Sequence, residues 1–191
     1  ERAETVIRFK SAKYTIERPL HLGAAIAGAT PELNQTLSEY GLALVEAFQL
    51  RDDLLGVFGD SSVTGKPAGD DLREGKQTML IAFANLNANA ADKKFLVDNL
   101  GDSSLTSETI SRLQNVLVNC GAQDFVENRI SEYLARALDA IETLDGDAEA
   151  KSALSELAIL ATKQPGMEIE ALIAKGIQIL DCTNSIKNRV G

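Results

Sequence analysis

Residues 31–78 read PELNQTLSEYGLALVEAFQLRDDLLGVFGDSSVTGKPAGDDLREGKQT, and two patterns inside this stretch decide the fold class. From Pro31 onward, apolar residues recur at Leu33, Leu37, Tyr40, Leu44 and Phe48. Steps of three and four put them on one stripe of an α-helix. Thr30 stands where a capping hydroxyl belongs, and Pro31 suits a first helical turn. The spacing predicts one long helix running to about Phe58. It gives way to residues 59–69, where Gly59, Gly65, Pro67 and Gly69 interrupt any apolar period, which predicts a loop between helices.

Working outward, Arg2–Glu17 reads as a helix halted by Arg18-Pro19, and Leu20–Ala29 as a short helix of small residues. Downstream, helices are expected near 71–88, 91–99, 107–119, 122–144 and 148–162. Gly121 closes the third of these, and Asp145-Gly146-Asp147 separates the last two. No stretch alternates β-branched and polar residues as a half-buried strand would. The fold class is all-α, a helical bundle. Beyond Pro165-Gly166, Ile169, Leu172, Ile173, Ile177 and Leu180 form an amphipathic stripe. The expected organisation is one domain over 1–166 and an unassigned tail over 167–191.

The 191 residues are 45% hydrophobic and 25% charged, far from the composition that keeps chains disordered. A net charge of −9 argues against nucleic acid or an anionic membrane face as the main partner. One histidine, His21, removes most zinc sites and most imidazole-dependent nucleophilic catalysis. His21 itself reads as packing at a helix start. Two cysteines, Cys120 and Cys182, make no disulfide framework and suit a reducing, cytoplasmic setting. No run reaches the ~18 apolar residues of a transmembrane helix.

Chemistry concentrates between Ala47 and Thr78. Gln49, Asp52, Asp53 and Gly56 follow one another at helical spacing near the end of the long helix. An Asp-Asp pair on a helix is most often a solvated face. Here the two carboxylates repel each other and oppose the helix dipole, so positive charge should compensate them. Mg²⁺ suits carboxylate oxygens and is completed by substrate phosphate oxygens. Lys66 and Lys76 follow directly and are of the type that binds phosphate as point charges. Carboxylates for a cation beside ammonium groups for phosphate describe a metal–diphosphate site.

Phe48-Gln49-x-x-Asp52-Asp53, then Phe58-Gly59-Asp60, then Thr64-Gly65-Lys66-Pro67-x-Gly69-x-Asp71-Leu72-x-x-Gly75-Lys76-x-Thr78, resembles the second aspartate-rich region of the trans-isoprenyl diphosphate synthases, or polyprenyl synthetases. Upstream, Phe9-Lys10-Ser11-Ala12-Lys13-Tyr14-Thr15 with Pro19-Leu20-x-x-Gly23 resembles that family's Lys-Thr-Ala helix. The resemblance covers roughly residues 3–162. It is nearest the geranylgeranyl and medium-chain members, with Gly56 standing where farnesyl synthases keep a third aspartate.

The resemblance implies the isoprenoid synthase bundle and an enzyme that condenses isopentenyl diphosphate with an allylic prenyl diphosphate. It implies Mg²⁺ on Asp52, with Asp53 ordering its surroundings. Lys10 and Lys66 hold the allylic diphosphate and, with Asp52, form the catalytic set, while Lys76 stands nearby. Phe48, Gln49 and Tyr14 line the meeting place of the substrates, Ser11 replaces the usual threonine, and Asp60 and Asp71 brace the loop. A homodimer is implied as well. The first aspartate-rich motif is absent from these residues, so the chain is expected to be the C-terminal half of a synthase and not to catalyse condensation alone. The alternatives are a non-catalytic subunit of a heteromeric synthase and a class I terpene cyclase. Against the cyclase, Asp53–Gly59 lacks that class's hydroxyl and glutamate.

Overall fold

A computed structural model describes residues 16, 18–26, 28–65, 67–144 and 147–163. The helices are α1 (Arg18–Ile26), α2 (Pro31–Phe58), α3 (Ser61–Thr64), α4 (Asp70–Glu74), α5 (Met79–Asn87), α6 (Ala90–Asn99), α7 (Ser107–Asn119), α8 (Ala122–Glu142) and α9 (Ala148–Lys163). Among the described residues there is no strand, as the lack of period-2 alternation predicts. None of these helices is long and apolar enough to cross a membrane. The chain forms two compact units, residues 1–49 with 131–191, and residues 50–130.

In the first unit the stripe read from the sequence is the core. Leu37, Tyr40 and Leu44 of α2 are buried with Leu20 and Ala24 of α1, Ala137 and Ile141 of α8, and Leu157, Ala158 and Ala161 of α9. Tyr40 is fully buried, and its hydroxyl donates to the Leu154 carbonyl at 2.9 Å, so the one polar atom of the ring is satisfied. His21 Nε2 lies 2.8 Å from Ser38 Oγ and 3.1 Å from the Asn34 carbonyl oxygen, which fastens α1 to α2. The histidine is a packing residue, as read.

In the second unit, Leu54 and Val57 of α2 are buried, as are Leu72, Leu80, Ile81, Leu96, Leu113, Leu117 and Val126. Both α5 and α6 pack on α7. Polar ties fix the register of the helices. Gln114 Nε2 donates to the Val57 carbonyl at 2.7 Å, and Arg51 forks onto both oxygens of Glu127, each at 2.7 Å. Phe83 of α5 stacks on Phe125 of α8 with centroids 4.5 Å apart, and the Arg112 guanidinium lies 3.9 Å over the Phe95 ring.

Five boundaries differ from the sequence reading, one being the end of α1, which stops at Ile26 and not at Ala29, ahead of Gly28 at φ +72°. Arg18-Pro19 opens α1 instead of preceding a helix at Leu20, because proline is tolerated in a first turn, where its missing N–H has no helical partner. The expected loop 59–69 contains one helical turn, α3, capped by Asp60, whose carboxylate accepts from the Ser62 N–H at 2.8 Å. The helix expected over 71–88 is two helices, α4 and α5, broken at Gly75 (φ +69°), whose N–H caps α4. The helix expected to reach residue 144 ends at Glu142. The helices expected over 91–99, 107–119 and 148–162 form within a residue of those bounds as α6, α7 and α9. Thr106 caps α7 by accepting from the Thr109 N–H at 3.2 Å, and Asp147 accepts from the Glu149 N–H at 3.1 Å. The helix expected over Arg2–Glu17 and the tail over 167–191 fall outside the described residues, Ile16 excepted.

Candidate functional site

The acidic pair sits in the last third of α2, about a turn and a half before its end at Phe58. The two carboxylates differ in setting. The Asp53 side chain is 8% exposed, whereas that of Asp52 is 49% exposed. Two adjacent anions near a helix C-terminus need a counter-charge, and the structure supplies it from Lys76. The Nζ of this lysine stands 3.1 Å from Asp53 Oδ1, 3.0 Å from Asp71 Oδ2 and 3.9 Å from Asp52 Oδ2. One ammonium thus joins carboxylates from α2 and from α4.

Backbone geometry explains how Lys76 reaches them. α4 is a single capped turn, closed at Gly75, and the Lys76 N–H donates to the Asp71 carbonyl at 3.0 Å. The Lys76 side chain folds back to the carboxylate of the same aspartate, donating to Oδ2 at 3.0 Å. Burial by itself pulls the ammonium's pKa down. The charge of Asp53 and the hydrogen bonds to Asp71 and Asp53 outweigh that, so Lys76 is held above the ordinary lysine range and stays charged. Two residues on, the Thr78 hydroxyl is buried without a partner at the start of α5.

Of the residues singled out from the sequence, Asp52, Asp53 and Lys76 come together. Phe48 is half-buried against the core of the first unit, and Gln49 belongs to that unit. Lys10, Ser11, Tyr14 and Lys66 lie outside the described residues. Asp60 caps α3. Asp71, read as a loop brace, does more, because it shares Lys76 with the acidic pair. Its signal in the sequence was the second aspartate pair, Asp70-Asp71, five residues before the lysine. No three Asp, Glu, His or Cys side chains among the described residues converge as a metal cage. The donor set still fits Mg²⁺, a hard cation that takes one or two carboxylates and fills its shell with water and phosphate oxygens. Asp52 is the carboxylate with oxygen exposed for it.

Residues 1–117 match the family model for polyprenyl synthetase. The geranylfarnesyl diphosphate synthase of Aeropyrum pernix is 37% identical over 153 residues, which is 80% of this chain and 46% of that protein. The octaprenyl diphosphate synthase of Haemophilus influenzae is 34% identical over 138 residues, 72% of this chain and 41% of that protein. Among solved structures, the geranylgeranyl pyrophosphate synthase of Corynebacterium glutamicum, complexed with isoprenyl diphosphate and magnesium, superposes with a TM-score of 0.80 at 44% identity. That match covers 84% of this chain and 46% of the other. The chain spans about half the length of the relatives it matches. With the helical fold, the ordered motifs and these likenesses in agreement, the chain belongs to the polyprenyl synthetase family.

Proposed function

We propose that the chain provides the diphosphate end of a prenyltransferase site, which joins isopentenyl diphosphate to an allylic prenyl diphosphate in the synthesis of geranylgeranyl or longer polyprenyl diphosphates. The observation that carries this reading is the Lys76 ammonium set among Asp53, Asp71 and Asp52 at 3.1, 3.0 and 3.9 Å. Breaking an allylic C–O bond leaves a delocalised carbocation and a diphosphate on which negative charge accumulates. Catalysis of such a step means fixing positive charge where the leaving group develops its own. Lys76 is a cation that its neighbours keep protonated, and Asp52 would hold magnesium, with Asp53 ordering the groups around it. When bound, that metal supplies Lewis-acid neutralisation of the leaving group.

The remaining roles come from the family resemblance. Lys10 and Lys66 hold the allylic diphosphate, and with Asp52 they form the catalytic set. Phe48, Gln49, Tyr14 and Ser11 line the place where the two substrates meet, in a bundle whose apolar walls keep water from the cation. The reading includes a homodimer working in the cytoplasm. Calorimetric titration of the chain with geranyl diphosphate, with and without Mg²⁺, tests it. Binding that needs Mg²⁺ and falls at least about tenfold in Lys76→Gln is expected, as loss of a charge-assisted contact predicts. Binding indifferent to Mg²⁺ and to that substitution overturns the reading.

A further inference from the structure

We propose that Gly56 is a positioning residue for Lys76: the missing side chain at this point of α2 makes room for the Asp71 carboxylate that holds the lysine. The consequence for substrate rests on the diphosphate reading above, whereas the geometry stands without it.

Glycine is the poorest helix former after proline, and Gly56 lies inside a 28-residue helix, so some other demand must place it there. Its backbone makes no such demand, because Gly56 is not among the glycines with positive φ. Space does. A Cβ on Gly56 would stand 2.7 Å from Asp71 Oδ1 and closer still to Asp71 Cγ and Oδ2. The obstructed group is a side chain and not backbone, so an added methyl is met by turning the Asp71 carboxylate away rather than by parting the helices. Turning Asp71 away undoes its 3.0 Å contact with Lys76. The ammonium then keeps only the carboxylates of α2, and the tie from α4 is lost. Fold is therefore preserved and the site is not, the opposite of what a packing glycine would give.

The test reads the lysine directly. Rates of amine acylation are measured peptide by peptide in the full chain, with Lys94, whose side chain is 77% exposed, as the internal standard. Lys76 is expected to react slowly in the native chain and roughly tenfold faster in Gly56→Ala, as an amine that has lost one of its charge-assisted hydrogen bonds does. Asp71→Asn, which leaves position 56 untouched, is expected to release it equally. The double variant Gly56→Asp/Asp71→Gly returns a carboxylate from the α2 side and is expected to slow the reaction again. Circular dichroism checks that helix content is retained. An unchanged Lys76 rate in Gly56→Ala or in Asp71→Asn overturns the proposal. A separate arm adds Mg²⁺ with inorganic pyrophosphate to the native chain. Failure to shield Lys76 there overturns the diphosphate reading and leaves the role of Gly56 standing.

Discussion

Gly75 and Gly101 lie backbone against backbone: a Cβ on Gly75 would stand 2.9 Å from the Gly101 Cα. The Gly101 N–H donates to the Leu72 carbonyl at 2.9 Å, and the Lys76 N–H to the Asp71 carbonyl at 3.0 Å. The contact that closes α4 therefore also sets where Lys76 leaves the main chain. Gly75 has φ +69°, a conformation that costs an L-residue about 1–2 kcal/mol. An alanine there also meets backbone, which cannot swing aside as a side chain can. Gly75→Ala is expected to destabilise the chain by about 2 kcal/mol or more, read as a lower urea midpoint at unchanged slope. A midpoint equal to the native one would contradict the contact.

What could be read from the sequence follows from how local each cause is. Leu37, Tyr40 and Leu44 announce the face of α2, since helical periodicity is written within a few residues. Asp145-Gly146-Asp147 announces the break before α9 for the same reason. The break between α4 and α5 was not legible. Leu72, Leu80, Ile81 and Ala84 keep a helical spacing across it, and the conformation of Gly75 is settled by Gly101, far along the chain. The site divides likewise. Asp52, Asp53 and Lys76 are recognisable by type and order. That the counter-charge beside Asp53 is Lys76 depends on a meeting between α2 and α4 that no short-range pattern encodes. Gly56 reads only as a departure from a motif until Asp71 is seen in the space beside it.

Lys76 gives the stability of the chain an alkaline limit. Its pKa in the folded chain is raised above the ordinary 10.5, so folding favours the ammonium. A group raised in this way contributes fully below its unfolded pKa and loses that contribution as pH climbs past it toward the folded value. Urea midpoints are expected to fall above pH 10.5 in the native chain and to fall less steeply in Lys76→Gln. Identical slopes in the two proteins would show that the lysine is not held by its carboxylates.

Tyr40 adds a second alkaline loss in the other compact unit. Burial disfavours the phenolate and raises its pKa above the ordinary 10.0, so the neutral ring stabilises the fold below that pH and ceases to as pH rises through it. Its hydroxyl also donates to the Leu154 carbonyl at 2.9 Å. Tyr40→Phe keeps the ring and removes both effects. At neutral pH it is expected to cost about 1 kcal/mol, the net worth of one buried hydrogen bond with its acceptor left bare. The cost should shrink above pH 10, where the native tyrosine itself becomes a liability. A substitution without effect at neutral pH would rule out the bond.

Asp52 and Asp53 are neighbours with opposite expected phenotypes. Asp52 is the more exposed and stands 3.9 Å from Lys76, while Asp53 is buried and stands at 3.1 Å. Asp52→Asn removes an exposed charge near a helix C-terminus, where a carboxylate is unfavourable, so stability is expected to stay within about 0.5 kcal/mol of native. The same change is expected to weaken Mg²⁺-dependent pyrophosphate binding by tenfold or more, on the order of one lost charge-assisted ligand. Asp53→Asn takes from Lys76 its main electrostatic partner in a setting poor in water, and a loss of about 1–3 kcal/mol is expected. Thermal melts and calorimetric titrations of the two variants side by side separate these outcomes. If Asp52→Asn proves the more destabilising while pyrophosphate binding survives it, the exposed carboxylate is a structural group and the metal must be sought elsewhere.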